Sequence, residues 1–476
     1  MLLPRYFVLV FLLCFFNYPA TSQVREITRD DLRDKINGGL LGQFFGNLNG
    51  LPHENKYFEE PGNIREYTPD LSEGAFTDDD TDIEFVYVYH MLQEDELILP
   101  YERIKTLWEQ NINEYIWCSN LYARNLMSLD IYPPYTGNHL LNPWADFNIS
   151  GQFLCEQFGL ISPGMPETAA RIGSHYTQVA VDGEPVQTTQ FFDAIIAMAF
   201  FEQNIVKLID AGLQAVDADS EISTIANDVR TWYSDHPEDW KKTRSQIKEK
   251  YWSGTWGGPG GSNGYRTITA ATIGALLHGN GDFVESLRIA FNFGWDADNI
   301  SAMVGTIVGL VKGEQWIRSH NWEIKDQYLN NRRTALPPVM TITEFAALHY
   351  NLAERLIMSR GGKEIELKGK PGYRFTGEDP RNVIPLKNGM TEPDQLKKNL
   401  LPQIEKDISS SDSTALARGF YLAVCLGLEN ELSIQDPQRW QLAKNAIRNH
   451  PFKFFEDEQW SKDQQSHFKD ILDEDR

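Results

Sequence analysis

Cysteine is scarce in this chain of 476 residues, with only four present. Cys14 lies in the leading segment, so Cys118, Cys155 and Cys425 are the cysteines of the remaining chain, an odd number without a Cys-x-x-Cys pair. This scarcity excludes a small domain held together by disulfides. It leaves room for one disulfide, between Cys118 and Cys155.

Positive charge and long hydrophobic runs are also lacking. The formal net charge is −23, which argues against nucleic acid or an anionic membrane as a partner. The apolar run at residues 6–16 is too short to cross a bilayer. Arg5 precedes this run and Ala20-Thr21-Ser22 resembles a cleavage site, so we predict a signal peptide at residues 1–22. The mature protein is therefore expected to be secreted, into the extracellular space or the periplasm.

A phosphate-binding loop is absent as well. Residues 252–264 are rich in glycine, but no Lys-Ser or Lys-Thr pair follows them and no strand pattern precedes them. The segment is therefore not predicted to bind a nucleotide in the manner of a P-loop.

Two carboxylates, Asp296 and Asp298, stand just after Gly294 and before an apolar, helix-like run at residues 300–312. One interpretation is an ordinary aspartate cap on a buried helix, where free N–H groups and the helix dipole stabilise negative charge. The other is a metal site, because the spacing lets both side chains turn towards one cation.

A second acidic cluster favours the metal site. Residues 73–84 include three consecutive aspartates, Asp78, Asp79 and Asp80, and no Lys or Arg occurs between Arg65 and Arg103. Crowded carboxylates repel one another unless a cation compensates them. If both clusters open onto one cavity, two Mg²⁺ or Mn²⁺ ions would suit their oxygen ligands; zinc is disfavoured by the lack of His and Cys, and calcium stays an alternative.

Glycine is concentrated on one predicted helix that begins after Thr28. Gly38, Gly39, Gly42 and Gly46 recur at helical spacing. Because glycine lowers helix stability, its use there predicts close approach of another helix or of a ligand. The loop that follows ends in Glu54, which is either a surface residue or part of the site.

Helical patterns dominate the rest of the chain, including predicted helices at residues 101–130 and 189–216. The composition changes near residue 360, where a short strand pair and then further helices are predicted. We therefore divide the mature chain into residues 23–360, which carry the acidic motifs, and a mainly helical C-terminal extension at 361–476.

These motifs resemble the ADP-ribosylglycohydrolase family, which includes the dinitrogenase-reductase-activating glycohydrolase, the ADP-ribosyl-acceptor hydrolases and a lens crystallin. The resemblance covers roughly residues 28–360, with the motifs in the family's order. It implies an all-α, orthogonal helical domain with a central pair of Mg²⁺ or Mn²⁺ ions.

The resemblance also assigns residues. Asp79 and Asp80 match the first ligand pair of the family, with Asp78 in place of its leading threonine. Asp296 and Asp298 match the second pair. The other implied site residues are Asn299 in place of the following threonine, Glu54 as the catalytic residue that helps to deprotonate the attacking water, and Gln152, Asp182 and Trp295 as substrate contacts.

Two departures concern the substrate. The family's Gly-Asp-x-x-Gly reads Gly46-Asn47-x-x-Gly50 in this chain, and the stretch after Asp182 lacks the family's tyrosine and last glycine. We predict a hydrolase of an N- or O-glycosidic bond to ADP-ribose or a related sugar, acting on a small-molecule or glycosyl substrate. The alternatives are a hydrolase of a glycan or nucleoside-like glycoside without ADP, and a non-catalytic sugar- or metal-binding protein.

Overall fold

The computed structural model of the chain describes residues 23–473, and the predicted signal peptide lies outside the described residues. Helices account for most of this part of the chain and the sheets are small, which confirms the predicted all-α fold class. None of the described helices is both long and apolar enough to span a lipid bilayer.

Helices follow one another along nearly the whole described chain. Those before residue 200 are α1 (Arg29–Gly50), α2 (Asp79–Glu94), α3 (Tyr101–Gln110), α4 (Cys118–Ser128), α5 (Ser150–Phe153), α6 (Glu156–Leu160), α7 (Pro166–Thr177) and α8 (Glu184–Ala199). Those up to residue 360 are α9 (Ile205–Gln214), α10 (Glu221–Asp235), α11 (Trp240–Tyr251), α12 (Tyr265–Gly279), α13 (Phe283–Phe293), α14 (Ala297–Lys312), α15 (Glu314–Ser319) and α16 (Ile342–Ser359). The remaining ones are α17 (Glu392–Ile408), α18 (Ser413–Cys425), α19 (Glu429–Gln435), α20 (Pro437–Arg448) and α21 (Lys462–Asp473).

Helices α1 and α14 form the centre of the fold and touch through their backbones. A Cβ atom added to Gly42 would lie 1.9 Å from the carbonyl oxygen of Gly305, and one added to Gly46 would lie 1.9 Å from that of Ser301. Only glycine permits such an approach. The glycine spacing in α1 thus serves a helix contact, and it sets the position of the N-terminus of α14, where Asp298 lies.

Two small sheets join distant parts of the chain. Strand β1 (Val24–Thr28) pairs antiparallel with β6 (Lys370–Thr376), which pairs antiparallel with β5 (Lys363–Leu367). Strand β2 (Ala75–Phe76) lies parallel to β3 (Tyr328–Leu329), which pairs with β4 (Val339–Met340). The second sheet brings the chain after residue 329 next to the start of α2.

The C-terminal helices pack against the earlier helices through buried aromatic side chains. The Tyr122 hydroxyl of α4 lies 3.1 Å from that of Tyr421 in α18 and donates a hydrogen bond to the Phe454 carbonyl at 2.8 Å. Hydrogen bonds therefore cross the predicted boundary near residue 360 both at this contact and in the first sheet.

The predicted helix at residues 101–130 is two helices, α3 and α4. The chain between them turns at Tyr115 (φ 52°) and Cys118 (φ 50°). Arg333, far along the sequence, donates a hydrogen bond to the Tyr115 carbonyl at 3.0 Å and stabilises the turn. The predicted helix at 189–216 is likewise divided, because Asn204 caps α9 by accepting from the Lys207 N–H at 3.1 Å.

The described cysteines are all free, so Cys118 and Cys155 form no disulfide.

Candidate metal centre

Glu54 and Asp296 are brought together by a short antiparallel bridge. The Asn55 N–H donates to the Trp295 carbonyl at 2.7 Å, and the Trp295 N–H donates to the Lys56 carbonyl at 3.0 Å. Gly294 makes this approach possible, since it has a φ of 73° and a Cβ there would lie 2.3 Å from the Lys56 carbonyl oxygen. The loop that carries Glu54 is thereby fixed to the segment that leads into α14.

The other aspartates stand at the start of α2. Asp78 is its N-cap residue, and its carbonyl accepts the Asp82 N–H at 2.8 Å. The Asn47 side-chain amide donates to Asp78 Oδ2 at 3.0 Å and to Asp80 Oδ2 at 3.1 Å. The asparagine in place of the family's aspartate therefore supplies a donor where another carboxylate would add repulsion.

The two acidic motifs meet at Asp298. Single carboxylate oxygens of Glu54, Asp296 and Asp298 lie within 4.8 Å of one another, and so do those of Asp78, Asp80 and Asp298. The structure therefore has two neighbouring groups of ligand atoms with one shared residue. This arrangement could hold two cations.

The donor chemistry fits a hard divalent ion. Every one of these ligand atoms is a carboxylate oxygen, the type that Mg²⁺ and Mn²⁺ prefer. Asp298 is 5% exposed, and its Oδ1 is buried without a hydrogen-bond partner among the described residues. A buried carboxylate oxygen without a donor is costly unless a cation compensates it.

Asp79, Asn299 and Gln152 lie close by in different positions. Asp79 lines the cavity, but its oxygens belong to neither group of ligand atoms. Asn299 donates to Asp80 Oδ1 at 3.3 Å and accepts from Gln152 Nε2 at 2.7 Å. Asn299, itself held by Gln152, thus orients the carboxylate of Asp80, a candidate metal ligand. Neither Asn299 nor Gln152 lines the cavity.

The other two residues predicted to contact substrate lie elsewhere. Trp295 is fully buried, and the guanidinium carbon of Arg244 lies over its indole ring, 4.3 Å from the ring centre. Asp182 lies in a separate cavity of 500 Å³, where Lys387 of the C-terminal extension donates to both of its oxygens at 2.8 and 2.9 Å. That ammonium group neutralises Asp182, which is not part of the acidic centre.

Two arginines near the centre were missed in the sequence. Arg332 lies 3.2 Å from Asp78 Oδ1, and Arg333 forms a fully buried ion pair with Asp82 at 2.7 Å. No Lys or Arg is interleaved with the acidic cluster in the sequence, but the fold supplies a positive partner to each of these two aspartates from a distant segment. The only signal in the sequence was an adjacent arginine pair, which is also typical of a solvated surface.

The carboxyl groups of the centre have raised pKa values, and burial is the largest cause. It raises the pKa of Asp80 well above its ordinary value, and the charge of Asp298 raises it further. The pKa values of Asp296 and Asp298 are raised in the same way, by burial and then by neighbouring carboxylates. Burial also raises the pKa of Glu54, followed by the charge of Asp78.

The carboxylates open onto a cavity of 380 Å³. Its walls are mostly uncharged and include Trp117, Cys118, Phe153, Trp256 and Asn263. A polar, acidic floor and partly aromatic walls are suited to a small ligand with several hydroxyl groups.

We expect Mn²⁺ to raise the melting temperature more at pH 8 than at pH 5.5. In the metal-free protein the pKa of Asp80 is higher in the folded than in the unfolded state, so the folded state binds more protons. The free energy of unfolding therefore falls as the pH rises from 3.8, the ordinary pKa of an aspartate, through the raised pKa of the folded state. Metal binding requires the deprotonated groups, so it strengthens over the same range. At 100 times its dissociation constant the ion would contribute about 2.7 kcal/mol. Scanning fluorimetry of wild type and Asp80→Asn with Mn²⁺ or EDTA checks this, and equal shifts at both pH values would contradict it.

The chain matches a known protein family. The family model described as ADP-ribosylglycohydrolase matches residues 28–356, well over half of the chain. The curated proteins contain no match to the chain. The matched range includes both acidic motifs and Glu54, and it ends before the C-terminal extension.

Proposed function

The chain belongs to the ADP-ribosylglycohydrolase family, and on that premise we propose that it is a secreted, metal-dependent hydrolase of a glycosidic bond to ADP-ribose or a related sugar. The observation that carries the proposal is the pair of carboxylate groups sharing Asp298. Export rests on the pattern of residues 1–22.

The carboxylates have distinct tasks in this proposal. Asp78, Asp80, Asp296 and Asp298 would hold two Mg²⁺ or Mn²⁺ ions. Such ions supply Lewis-acid polarisation of the substrate and of a water molecule. Asn47 and Asn299 keep the carboxylates of α2 oriented through their amide hydrogen bonds.

Glu54 is the proposed general base. Its Oε1 accepts a hydrogen bond from the Asn55 side chain at 2.8 Å, and no described residue donates to its Oε2. The raised pKa of its carboxyl group brings it closer to the working pH, which favours proton transfer. Water attacks the anomeric carbon and gives one proton to Glu54, the bond to the leaving group breaks, and the leaving group takes up a proton, which returns Glu54 to its ionised form.

The test of the proposal is hydrolysis of a panel of glycosides with Mn²⁺ and with EDTA. The panel contains ADP-ribosyl-arginine and glycosides of neutral furanoses and pyranoses. Release of free sugar or ADP-ribose only in the presence of the ion is expected. If no compound of the panel releases sugar or ADP-ribose in a metal-dependent way, the proposed function is refuted.

Glu54→Gln is expected to lower the turnover number by about 10²–10⁴-fold, the usual cost of losing a general base. Glutamine keeps the size and one carbonyl oxygen, so we expect Mn²⁺ affinity to change little. Turnover and calorimetric Mn²⁺ titration are measured on the same preparation.

Glu60→Gln is the matched control, because Glu60 is an exposed glutamate of the same loop region. It should behave as wild type in both measurements. Wild-type turnover in Glu54→Gln, or loss of its metal, would show that Glu54 has another role.

A further inference from the structure

Two tryptophans flank the acidic cavity and are unusually exposed for residues of their size. Trp117 is 47% exposed and Trp256 is 45% exposed, and both line the cavity. Large apolar side chains at the opening of a polar cavity are typical of a ligand surface. They offer flat faces beside the carboxylates.

Trp256 is held from behind by the C-terminal extension. Its ring meets Trp144 edge to face, with centres 5.4 Å apart. The Trp144 indole N–H donates to Asp457 Oδ2 at 3.0 Å. Next to Trp256, a Cβ on Gly257 would lie 2.6 Å from the side-chain amide nitrogen of Gln459, so the loop and the extension are in close contact.

Trp117 is set by the turn between α3 and α4. It precedes Cys118, whose φ is 50°. The Arg332 guanidinium lies over the ring of Tyr115 at 5.3 Å in the same turn. The turn that carries Trp117, like the loop that carries Trp256, is therefore in contact with residues distant in the sequence.

The charges of the cavity disfavour a phosphorylated substrate. Six carboxylates line it, from Glu54 and from the two acidic motifs, and Arg332 is its only basic side chain in the described part of the chain. Arg332 is already paired with Asp78. No unpaired basic side chain of the described lining is therefore available to bind a diphosphate.

We propose that the substrate class of this site is a neutral glycoside without phosphate, whose sugar stacks a C–H face on Trp256 and Trp117 while its hydroxyls face the carboxylates. The inference rests on the proposed hydrolysis. The oxygen of water forms a bond to the anomeric carbon and the bond from that carbon to the leaving oxygen breaks; the proton that water gives to Glu54 is passed on to the leaving oxygen, which departs as the alcohol. Asp457 is a positioning residue, since it acts on Trp256 through Trp144.

The first experiment compares substrates on the Mn²⁺-loaded full chain. We expect at least one 4-nitrophenyl glycoside of a neutral sugar to be hydrolysed with a kcat/KM about 100-fold above that of ADP-ribosyl-arginine. Hydrolysis of ADP-ribosyl-arginine with no neutral glycoside turned over would overturn the substrate class and leave the proposed function intact. Loss of metal-dependent hydrolysis on both compound types would refute the proposed function itself.

The second experiment tests the aromatic wall. Trp256→Ala should raise KM, and the inhibition constant of the matching free sugar, by about tenfold, as expected for the loss of one good stacking contact. The turnover number and Mn²⁺ affinity should stay within about threefold. Trp256→Phe should restore most of the loss. Tyr132→Ala, an exposed aromatic outside the cavity, is the control and should match wild type.

The third measurement concerns Asp457. Asp457→Ala should raise KM without changing Mn²⁺ affinity, and combining it with Trp256→Ala should add nothing to the single Trp256→Ala effect, because both act through one side chain. Unchanged KM in Trp256→Ala, or fully additive effects in the double variant, would overturn the assigned roles.

Discussion

Asp298→Asn is expected to weaken Mn²⁺ binding by about 100-fold or more and to reduce turnover to background. Asp298 contributes an oxygen to both groups of candidate ligands, whereas Asp296 belongs to one. Loss of an outer hydrogen-bond partner already costs about 10–100-fold in metal affinity, and a shared ligand should cost at least the upper value. Calorimetric titration of Mn²⁺ gives the affinity and the number of ions bound.

Asp296→Asn is the matched comparison, since it removes one charge from the same short motif. It should bind Mn²⁺ more tightly than Asp298→Asn, with one of the two ions affected more than the other. Melting of both variants in EDTA controls for folding. Tighter metal binding by Asp298→Asn than by Asp296→Asn would show that Asp298 is not the shared ligand.

Gly42→Ala is expected to destabilise the protein by about 3 kcal/mol or more, or to prevent folding. Its Cβ would lie 1.9 Å from the Gly305 carbonyl oxygen, which is backbone and cannot rotate away. In the other direction, a Cβ on Gly305 would lie 2.0 Å from the Gly42 carbonyl oxygen, so the two helices must separate to accept either methyl group. Urea denaturation of purified protein measures the loss.

Gly389→Ala is the control, because no other atom lies within 4 Å of a Cβ at that position. Its stability should stay within about 0.5 kcal/mol of wild type. If Gly42→Ala folds, its Mn²⁺ affinity should also fall, since α14 carries Asp298. A stability loss below about 1 kcal/mol in Gly42→Ala would contradict the close contact of α1 with α14.

The sequence alone predicted the helical class, and it singled out the carboxylates of Glu54, Asp78, Asp80, Asp296 and Asp298, which the structure brings close together. Helical spacing of Gly38, Gly42 and Gly46 indicates a close neighbour, because nothing else accounts for so many glycines on one helix. Asp296 and Asp298 at the start of an apolar run indicate a buried helix N-terminus. These are local patterns, and local patterns depend on residues that are near in sequence.

Tertiary structure decided what neutralises, orients and surrounds those carboxylates. Arg332 reaches Asp78 because the small β2–β3–β4 sheet places the chain after residue 329 beside the start of α2, and Asn47 donates to Asp80 because α1 lies against α2. Trp256 reaches the cavity edge through a chain of contacts that ends at Asp457. Such pairings join residues tens to hundreds of positions apart, and a single sequence carries no periodic signal for them, because the contact depends on how whole helices pack.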